Sequence, residues 1–333
     1  MSERIRVIAY GLGAIGRAAG RLVTERTGME LVGAVDCSPT FAGRDAGEVL
    51  ELGRPLGFNV TDTLADTLAE ADADAVIHCT GSSFAGVMPQ LMEIVEANLC
   101  CVTSCEEALF PRYRYPELAE ELNTLCVAHG VSVLGTGVNP GFVMDTLAMV
   151  STAVCQRVDS VRVLRVVDAG TRREALQRKV GAGMVKEAFE KLVGAGQIGH
   201  AGLLESLAFV VAALGWSGAK LDEHVEPVLT THSIRTKYVS LLPGQVAGVR
   251  QVARAVLDGR EVARLELQMY VGAEQPRDEI QIAGVPPVRM VVTGGTPGDL
   301  ATPAILVNMV PALLAAGPGL HTMATLPLPR IAV

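Results

Sequence analysis

The sequence predicts an α/β protein, in which a doubly wound parallel sheet is followed by a second α+β domain with a mixed or antiparallel sheet. Three observations lead to this fold class. Short apolar runs alternate with helical segments over the first 145 residues, as in parallel sheets. Later in the chain several strands occur with few helices between them. A final helix is too apolar to be exposed to solvent.

The chain opens with a strand, a glycine-rich turn, a helix and a second strand. The apolar run Ile5–Tyr10 predicts the first strand, residues 17–27 predict the helix, and residues 30–35 predict the second strand, which is followed by Asp36. The turn between the first strand and the helix consists of Gly11, Leu12, Gly13, Ala14, Ile15 and Gly16.

Each glycine of this turn has a physical role in binding a dinucleotide. Gly11 permits the tight turn, Gly13 lets the backbone approach a pyrophosphate, and Gly16 lets the helix pack closely on the strand. The helix N-terminus offers free N–H groups to phosphate. Asp36 lies 20 residues after Gly16, where an acid binds the ribose hydroxyls. The sequence therefore predicts a Rossmann domain that binds a dinucleotide.

Two further strand ends are expected to line the same site. Residues 75–79 predict a strand closed by Thr80, Gly81 and Ser82, and residues 99–103 predict another, followed by Ser104. Helices are predicted over 84–97 and 116–130, and a strand over 131–134. Because ligands of such sheets bind beyond the carboxyl ends of the strands, we expect these loops and Ser38 to contact the cofactor.

The second half of the chain has a different pattern. Strands are predicted over 161–167, 246–256, 264–271 and 288–293, with an apolar helix over 203–214 and a final helix over 300–316. We expect a dinucleotide-binding domain of residues 1–145, joined by the C-terminal segment 299–333, and a substrate and dimerisation domain of residues 146–298.

Composition excludes several functional classes. A formal charge of -8 without a basic run argues against nucleic acid and anionic membranes as partners. No uncharged apolar stretch reaches about 18–20 residues, so we expect no membrane span and a cytoplasmic location. Seven cysteines form no regular pattern for disulfides or zinc, and no histidines are spaced as metal ligands, so we expect no metal.

Three candidates for catalysis remain. Glu106 and Glu107 follow a strand of the cofactor domain, where a carboxylate can accept a proton or stabilise a cation; both could also be surface acids in the first turn of a helix that starts near Ala108. Cys105 is a candidate nucleophile, although two adjacent carboxylates raise the pKa of a thiol. His78 lies inside an apolar strand, which favours a core role.

Several stretches resemble the group of 2,4-diaminopentanoate dehydrogenases and native amine dehydrogenases, whose fold is like that of dihydrodipicolinate reductase. They are residues 103–107, 135–142, 176–183, Gly215 with Trp216, and 294–308. Dihydrodipicolinate reductase itself fits poorly, since no two histidines here are adjacent.

The resemblance implies reversible deamination of an amine to a ketone and ammonia, assisted by Glu106 or Glu107, in a homodimer. Asp36 disfavours a 2′-phosphate, so NAD(H) is expected, with NADP(H) as a second cofactor through Ser38 or Arg44. Alternatives are 2,4-diaminopentanoate dehydrogenase proper, a semialdehyde dehydrogenase using Cys105, and a dinucleotide sensor without chemistry.

A simple amine requires an apolar pocket, and a diamino acid requires a cation that binds its carboxylate. The pocket candidates are Asn139, Phe142, Val143, Leu176 and Thr302, and the cation candidates are Arg165, Arg172, Arg173 and Lys179.

Overall fold

The computed structural model describes residues 4–172 and 174–331 of the chain. It divides into two compact units. The first unit runs to Phe142 and resumes at Pro297, and the second unit is Val143–Thr296. Within the described residues, no helix is long and apolar enough to cross a membrane.

The first unit is built on a parallel sheet of six strands. Viewed across the sheet, the order is the C-terminal strand, β5, β4, β3, β1 and β2, and every neighbouring pair is parallel. This confirms the predicted doubly wound sheet. The strands are β1 (Ile5–Tyr10), β2 (Met29–Val35), β3 (Ala75–His78), β4 (Cys100–Thr103), β5 (Ser132–Gly135) and the C-terminal strand (Gly319–His321).

Helices cover both faces of this sheet, as expected for a sheet whose strands are buried throughout. The C-terminal helix (Gly298–Leu314) belongs to the first unit, where it packs on the first helix of the chain and on β3, β4 and β5. Most of its apolar residues are buried, although Leu300 in its first turn is exposed, and this burial explains why so apolar a helix is stable here. The other helices of the unit are α1 (Ala14–Glu25), α2 (Ala46–Val49), α3 (Leu64–Glu70), α4 (Phe84–Glu96) and α5 (Pro116–His129).

The second unit contains a six-stranded mixed sheet, in the order β13, β12, β6, β11, β10 and β7. Strands β6 and β11 are parallel and the other neighbours are antiparallel. The strands are β6 (Arg157–Asp168), β7 (Lys220–Leu229), β10 (Val246–Leu257), β11 (Arg260–Tyr270), β12 (Arg277–Val285) and β13 (Val288–Thr293), with β8 (Ile234–Arg235) and β9 (Ser240–Leu241) in a separate ribbon. The helices are α6 (Thr146–Ser151), α7 (Glu174–Lys179), α8 (Lys186–Gly194) and α9 (Leu203–Ala213).

The two faces of this mixed sheet differ in chemistry. Helix α9 packs on β7, β10 and β11, and buried Val249, Leu265 and Leu267 lie on that side. The opposite face carries rows of paired charges. Arg250 there bridges Glu226 on one neighbouring strand and Glu266, at 2.7 Å, on the other. The apolar side of the sheet is thus covered within the unit.

Candidate functional site

The turn between β1 and α1 requires glycine at two positions. Gly11 has φ +89°, and a Cβ there would lie 2.6 Å from the carbonyl oxygen of Cys79. A Cβ on Gly16 would lie 1.7 Å from the carbonyl oxygen of Gly11. Such distances are far below van der Waals contact, so any larger residue would open the turn. The predicted packing roles of Gly11 and Gly16 agree with these distances.

Gly13 differs from its neighbours because a Cβ there would meet nothing within 4 Å. It is the exposed N-cap residue of α1, and no side chain caps the helix. The first N–H groups of α1 therefore face open space at the positive end of the helix dipole. Ala14 and Ile15 continue into the first turn of the helix. These features fit a pyrophosphate, which needs both free N–H donors and close backbone approach.

Asp36 follows β2 and faces the glycine turn. Its carboxylate accepts hydrogen bonds from the backbone N–H of Leu12 at 2.6 Å and of Ser38 at 2.8 Å. These two bonds hold the acid beside the turn, where a carboxylate can bind ribose hydroxyls. Arg44 is already engaged, since it donates to Glu48 at 2.6 Å and to the carbonyl of Thr40 at 3.0 Å.

The loops after β3 and β4 meet at the same edge of the sheet. The backbone N–H of Glu107 donates to the carbonyl of Ser82 at 3.2 Å, and the N–H of Ser104 donates to the carbonyl of His78 at 2.9 Å. Thr80 and Gly81 are exposed at this edge. The structure thus brings the Thr80–Ser82 loop and Ser104 together, as the strand order predicts.

Glu107 has a structural role. Its carboxylate accepts a hydrogen bond from the backbone N–H of Phe84, the first residue of α4, at 2.8 Å. Arg114 lies 3.9 Å from the same carboxylate, and Tyr115 is hydrogen-bonded to it. Burial raises the pKa of the Tyr115 hydroxyl, and the negative charge of Glu107 raises it further. Glu107 therefore caps α4 and is held by its neighbours.

Glu106 has no comparable partner. It is half-buried in a 3₁₀ helix, Glu106–Leu109, that directly follows the β4 loop. This turn replaces the α-helix considered from Ala108 onward. Within residues 4–172 and 174–331, the structure shows no hydrogen bond or ion pair to the Glu106 carboxylate. A half-buried carboxylate without such bonds retains its capacity to accept a proton or face a cation.

Cys105 is unsuited to nucleophilic chemistry. It is 1% exposed, and its burial, together with the charges of Glu106 and Glu107, raises the pKa of the thiol to about 12. A thiol at this pKa is almost entirely protonated near neutral pH, and only the thiolate attacks. The geometry therefore argues against an aldehyde-oxidising enzyme that uses Cys105.

His78 is fully buried, as the core interpretation expects, yet it is hydrogen-bonded on both sides of its ring. Nδ1 lies 2.9 Å from the hydroxyl of Thr103, and Nε2 lies 2.9 Å from Oε1 of Gln90 and 2.8 Å from the hydroxyl of Thr80. Sequence reasoning did not identify this network. The available signal was a polar residue at the last position of β3 and again at the last position of β4.

The expected pocket residues are distributed over both units. Asn139, Phe142 and Thr302 belong to the first unit, where the Thr302 hydroxyl accepts a hydrogen bond from the backbone N–H of Val138 at 3.3 Å. That bond places Thr302 next to the loop that carries Asn139. Val143, which is buried, and Leu176, which is half-buried on α7, belong to the second unit.

Arg165 does not fit the role of a substrate cation. It is buried and donates to Asp278 at 2.6 Å and to the carbonyl of Thr296 at 2.7 Å. A buried ion pair of this kind leaves no charge for a ligand. Lys179 is exposed, Arg172 is half-buried, and Arg173 lies outside the described residues. No group of three or more possible metal-ligating side chains occurs in the described part of the chain.

Two family models match the sequence. The 2,4-diaminopentanoate dehydrogenase C-terminal domain matches residues 142–333, and the dihydrodipicolinate reductase N-terminus matches residues 5–104. Between them they cover most of the chain, and the second match contains the glycine turn, the loop after β3 and Ser104.

Individual proteins agree with these families. The chain is 33% identical over 339 residues to 2,4-diaminopentanoate dehydrogenase of Acetoanaerobium sticklandii, covering 98% of this chain and 95% of that protein. It is 29% identical over 173 residues to an amine dehydrogenase of Streptomyces virginiae, covering 50% and 47%. The solved structure of an amine dehydrogenase from Mycobacterium smegmatis has a TM-score of 0.86 and 27% identity, covering 99% of this chain and 98% of that one.

Proposed function

The chain belongs to the 2,4-diaminopentanoate dehydrogenase family, and we propose on this basis that it is an NAD(H)-dependent amine dehydrogenase with Glu106 as its catalytic carboxylate. The overall reaction converts a primary ammonium, NAD⁺ and water into a ketone, ammonium, NADH and a proton. The nicotinamide, when bound, accepts the hydride from the amine-bearing carbon. All other steps rest on residues of this chain.

Glu106 performs the proton chemistry in this proposal. A substrate amine is protonated near neutral pH and holds no free electron pair until the carboxylate accepts its proton. Glu106 passes this proton to water, and loss of hydride then leaves a cationic iminium, which the restored negative charge of Glu106 stabilises. Attack by water on the iminium carbon releases a proton that Glu106 can again accept, and the carbon–nitrogen bond then breaks to give ammonia and the ketone.

One observation supports this assignment more than any other. Of the two adjacent glutamates that follow β4, Glu107 caps α4, while Glu106 is half-buried and its carboxylate accepts no hydrogen bond from the described residues. A structural acid would be expected to have a donor partner at this depth. A catalytic base must instead keep its oxygens available for substrate.

The glycine turn and Asp36 are the proposed cofactor site. Gly11 to Gly16 and the start of α1 would hold the pyrophosphate, and Asp36 would bind the adenosine ribose. The negative charge of Asp36 repels a 2′-phosphate, and Arg44 is paired with Glu48. We therefore infer a preference for NAD(H), with any NADP(H) use depending on Ser38. The loops of Thr80–Ser82 and Ser104 would flank the nicotinamide half.

A cofactor-consumption assay tests the function. Purified protein is given NADH, ammonia and a panel of ketones, and in the reverse direction NAD⁺ and the corresponding amines. We expect turnover in both directions. Tight NADH binding with no turnover on any member of the panel would instead favour a dinucleotide sensor.

The substrate itself is the finer part of the proposal. We expect a simple amine in an apolar pocket to which Asn139, Phe142 and Thr302 of the first unit contribute. The alternative is 2,4-diaminopentanoate, the substrate in the name of the A. sticklandii relative, whose carboxylate requires a cation in the site. Comparing kcat/KM for 2,4-diaminopentanoate and 2-aminopentane separates them, because the two share a five-carbon chain and differ in the charged groups.

A homodimer is also part of the proposal, and its support is the family resemblance. The apolar face of the mixed sheet is covered by α9, so an interface on the opposite face would be built from charged rows such as Arg250 with Glu226 and Glu266. Light scattering at micromolar concentration should give twice the monomer mass, and a dimer of this polar kind should weaken as salt is raised.

A further inference from the structure

Three neighbouring strands of the first sheet end in polar residues that lie side by side. Tyr10 ends β1, His78 ends β3 and Thr103 ends β4. In the register of the sheet Tyr10 is paired with His78 and His78 with Thr103. The His78 ring also packs edge-on against Tyr10, with 5.5 Å between ring centroids. His78 is thus fixed at the centre of the edge where the loops of the proposed site begin.

The donors and acceptors around His78 determine which ring nitrogen carries the proton. Oε1 of Gln90 is an acceptor, and it receives a hydrogen bond from the Thr80 hydroxyl at 2.6 Å. The Nε2 atom of His78, near both of these oxygens, must therefore carry the ring proton. Nδ1 is then unprotonated and accepts from the Thr103 hydroxyl. The Thr103 oxygen in turn accepts from the backbone N–H of Cys105 at 3.1 Å.

This chain of hydrogen bonds joins two loops with different tasks. One end is the backbone N–H of Cys105, the residue directly before Glu106. The other end is Thr80, the first residue of the loop proposed to flank the cofactor. Both ring nitrogens of His78 and the Thr103 hydroxyl have hydrogen-bond partners when His78 is neutral. Burial lowers the pKa of His78 below its usual 6.5, which keeps the ring neutral.

We propose that His78 is a positioning residue, whose neutral Nε2–H ring holds the Glu106 loop in register with the Thr80–Ser82 loop. This inference rests on the proposed role of Glu106. His78 is fully buried and exchanges no proton with substrate; it fixes where the backbone after β4 turns into the 3₁₀ helix. Misplacement of a catalytic group by about 1 Å can lower the rate about 10²-fold. We therefore expect loss of the His78 hydrogen bonds to lower kcat rather than the affinity for NADH.

Paired substitutions of Thr103 test the link. Thr103→Val removes the hydroxyl while keeping the shape, and Thr103→Ser keeps the hydroxyl. Thr67→Val is the matched control, because Thr67 is also a buried, hydrogen-bonded threonine of the first unit, on α3. We expect Thr103→Val to lower kcat for amine oxidation about 10- to 100-fold, with the Kd for NADH unchanged. Thr103→Ser should retain most of the wild-type kcat, and Thr67→Val should leave kcat unchanged.

A second pair acts on the ring. His78→Asn retains an acceptor near the Nδ1 position, whereas His78→Leu removes both hydrogen bonds, so the asparagine variant should be the faster of the two. Equal kcat for Thr103→Val and Thr67→Val would overturn the proposal even if His78→Leu does not fold. A parallel loss of NADH affinity and kcat in Thr103→Val would also contradict it, since that indicates general disorder of the site.

A measurement independent of activity separates this inference from the proposed function. ¹⁵N NMR of the wild-type histidines, with His78 assigned by comparison with His78→Asn, reports the ring tautomer. We expect the Nε2–H form at neutral pH. Observation of the Nδ1–H form or of a charged ring would refute the hydrogen-bond direction. Wild-type inactivity on every amine, with the Nε2–H tautomer present, would instead refute the proposed function and leave the link between the loops standing.

Discussion

The carboxylate of Glu107 and the backbone N–H of Phe84 are joined by a 2.8 Å hydrogen bond that caps α4. This bond assigns different tasks to two neighbouring glutamates. Glu106→Gln should lower kcat and kcat/KM about 10²–10⁴-fold, the usual worth of a positioned acid–base group. NADH affinity should hardly change, since it depends on the glycine turn and Asp36. Steady-state kinetics and a fluorescence titration of NADH measure the two quantities.

Glu107→Ala is the matched control. Loss of the cap should lower the free energy of unfolding by about 1 kcal/mol, measured by urea denaturation, and leave kcat much closer to wild type than Glu106→Gln does. If Glu107→Ala loses more activity than Glu106→Gln, the two roles must be exchanged.

Gly13 and Gly16 should respond differently to one added methyl group. Gly16→Ala puts a Cβ 1.7 Å from a backbone oxygen and should lower stability by more than about 3 kcal/mol. Gly13→Ala meets open space in the free protein, so stability should stay within about 1 kcal/mol of wild type. Because the pyrophosphate would approach Gly13, NADH binding should weaken at least about tenfold. Unchanged NADH affinity in Gly13→Ala would place the phosphates elsewhere.

Asp36→Asn tests the origin of cofactor choice. Leu12 and Ser38 donate to different oxygens of Asp36, so the amide oxygen of asparagine can keep one of these two hydrogen bonds, while the charge that repels a 2′-phosphate is removed. We expect the ratio of kcat/KM for NADP⁺ to that for NAD⁺ to rise at least about tenfold, or about 1.4 kcal/mol. The charge argument fails if wild type already prefers NADP⁺.

Cys105→Ala distinguishes amine from aldehyde chemistry. The thiol is buried and its pKa is raised to about 12, so its removal should leave amine oxidation close to the wild-type rate. Iodoacetamide should modify this cysteine slowly in the folded protein. Abolition of turnover by Cys105→Ala, with Glu106→Gln active, would favour the semialdehyde dehydrogenase.

His78 should make stability depend on pH. Its folded-state pKa is lowered from 6.5 by burial. The neighbouring Tyr10 stays neutral, because burial raises the pKa of its hydroxyl to about 12, and this hydroxyl donates a hydrogen bond to Glu93. Above pH 6.5 both folded and unfolded states are neutral at His78. As the pH falls below 6.5, His78 is protonated in the unfolded state before it is protonated in the folded state. The free energy of unfolding therefore decreases until the pH reaches the folded-state pKa of His78. The wild-type Tm should fall more between pH 7 and 5 than that of His78→Asn.

The first unit could be predicted closely because its signals are local. The strand at Ile5–Tyr10 was predicted at its observed bounds, and the helix predicted over 84–97 ends one residue earlier in the structure. In the second unit, the strand at Val288–Thr293 was also predicted at its observed bounds. Strands β7 and β12 were missed. β7 is an edge strand with charged residues and Pro227, and β12 buries Asp278 and Glu279, so neither shows apolar alternation.

The candidate site was predicted in part for the same reason. Glycines, Asp36 and the acids after β4 are visible from spacing, but the partner of a buried polar group is not. Only the folded chain pairs Arg165 with Asp278 or Glu107 with Phe84, at sequence separations of 113 and 23 residues. Both pairings change which residues remain available for a ligand.

The sixth strand and the covering helix of the first unit come from the end of the chain, and this has a consequence for synthesis on the ribosome. Residues up to Phe142 emerge first, but the surfaces of β3, β4 and β5 that the C-terminal helix covers must wait until Val143–Thr296 has been translated. The second unit, contiguous in the chain, can fold as it leaves the exit tunnel. Nascent chains stalled before Pro297 should therefore expose an apolar sheet surface and recruit chaperones, and full-length chains should lose that binding on release.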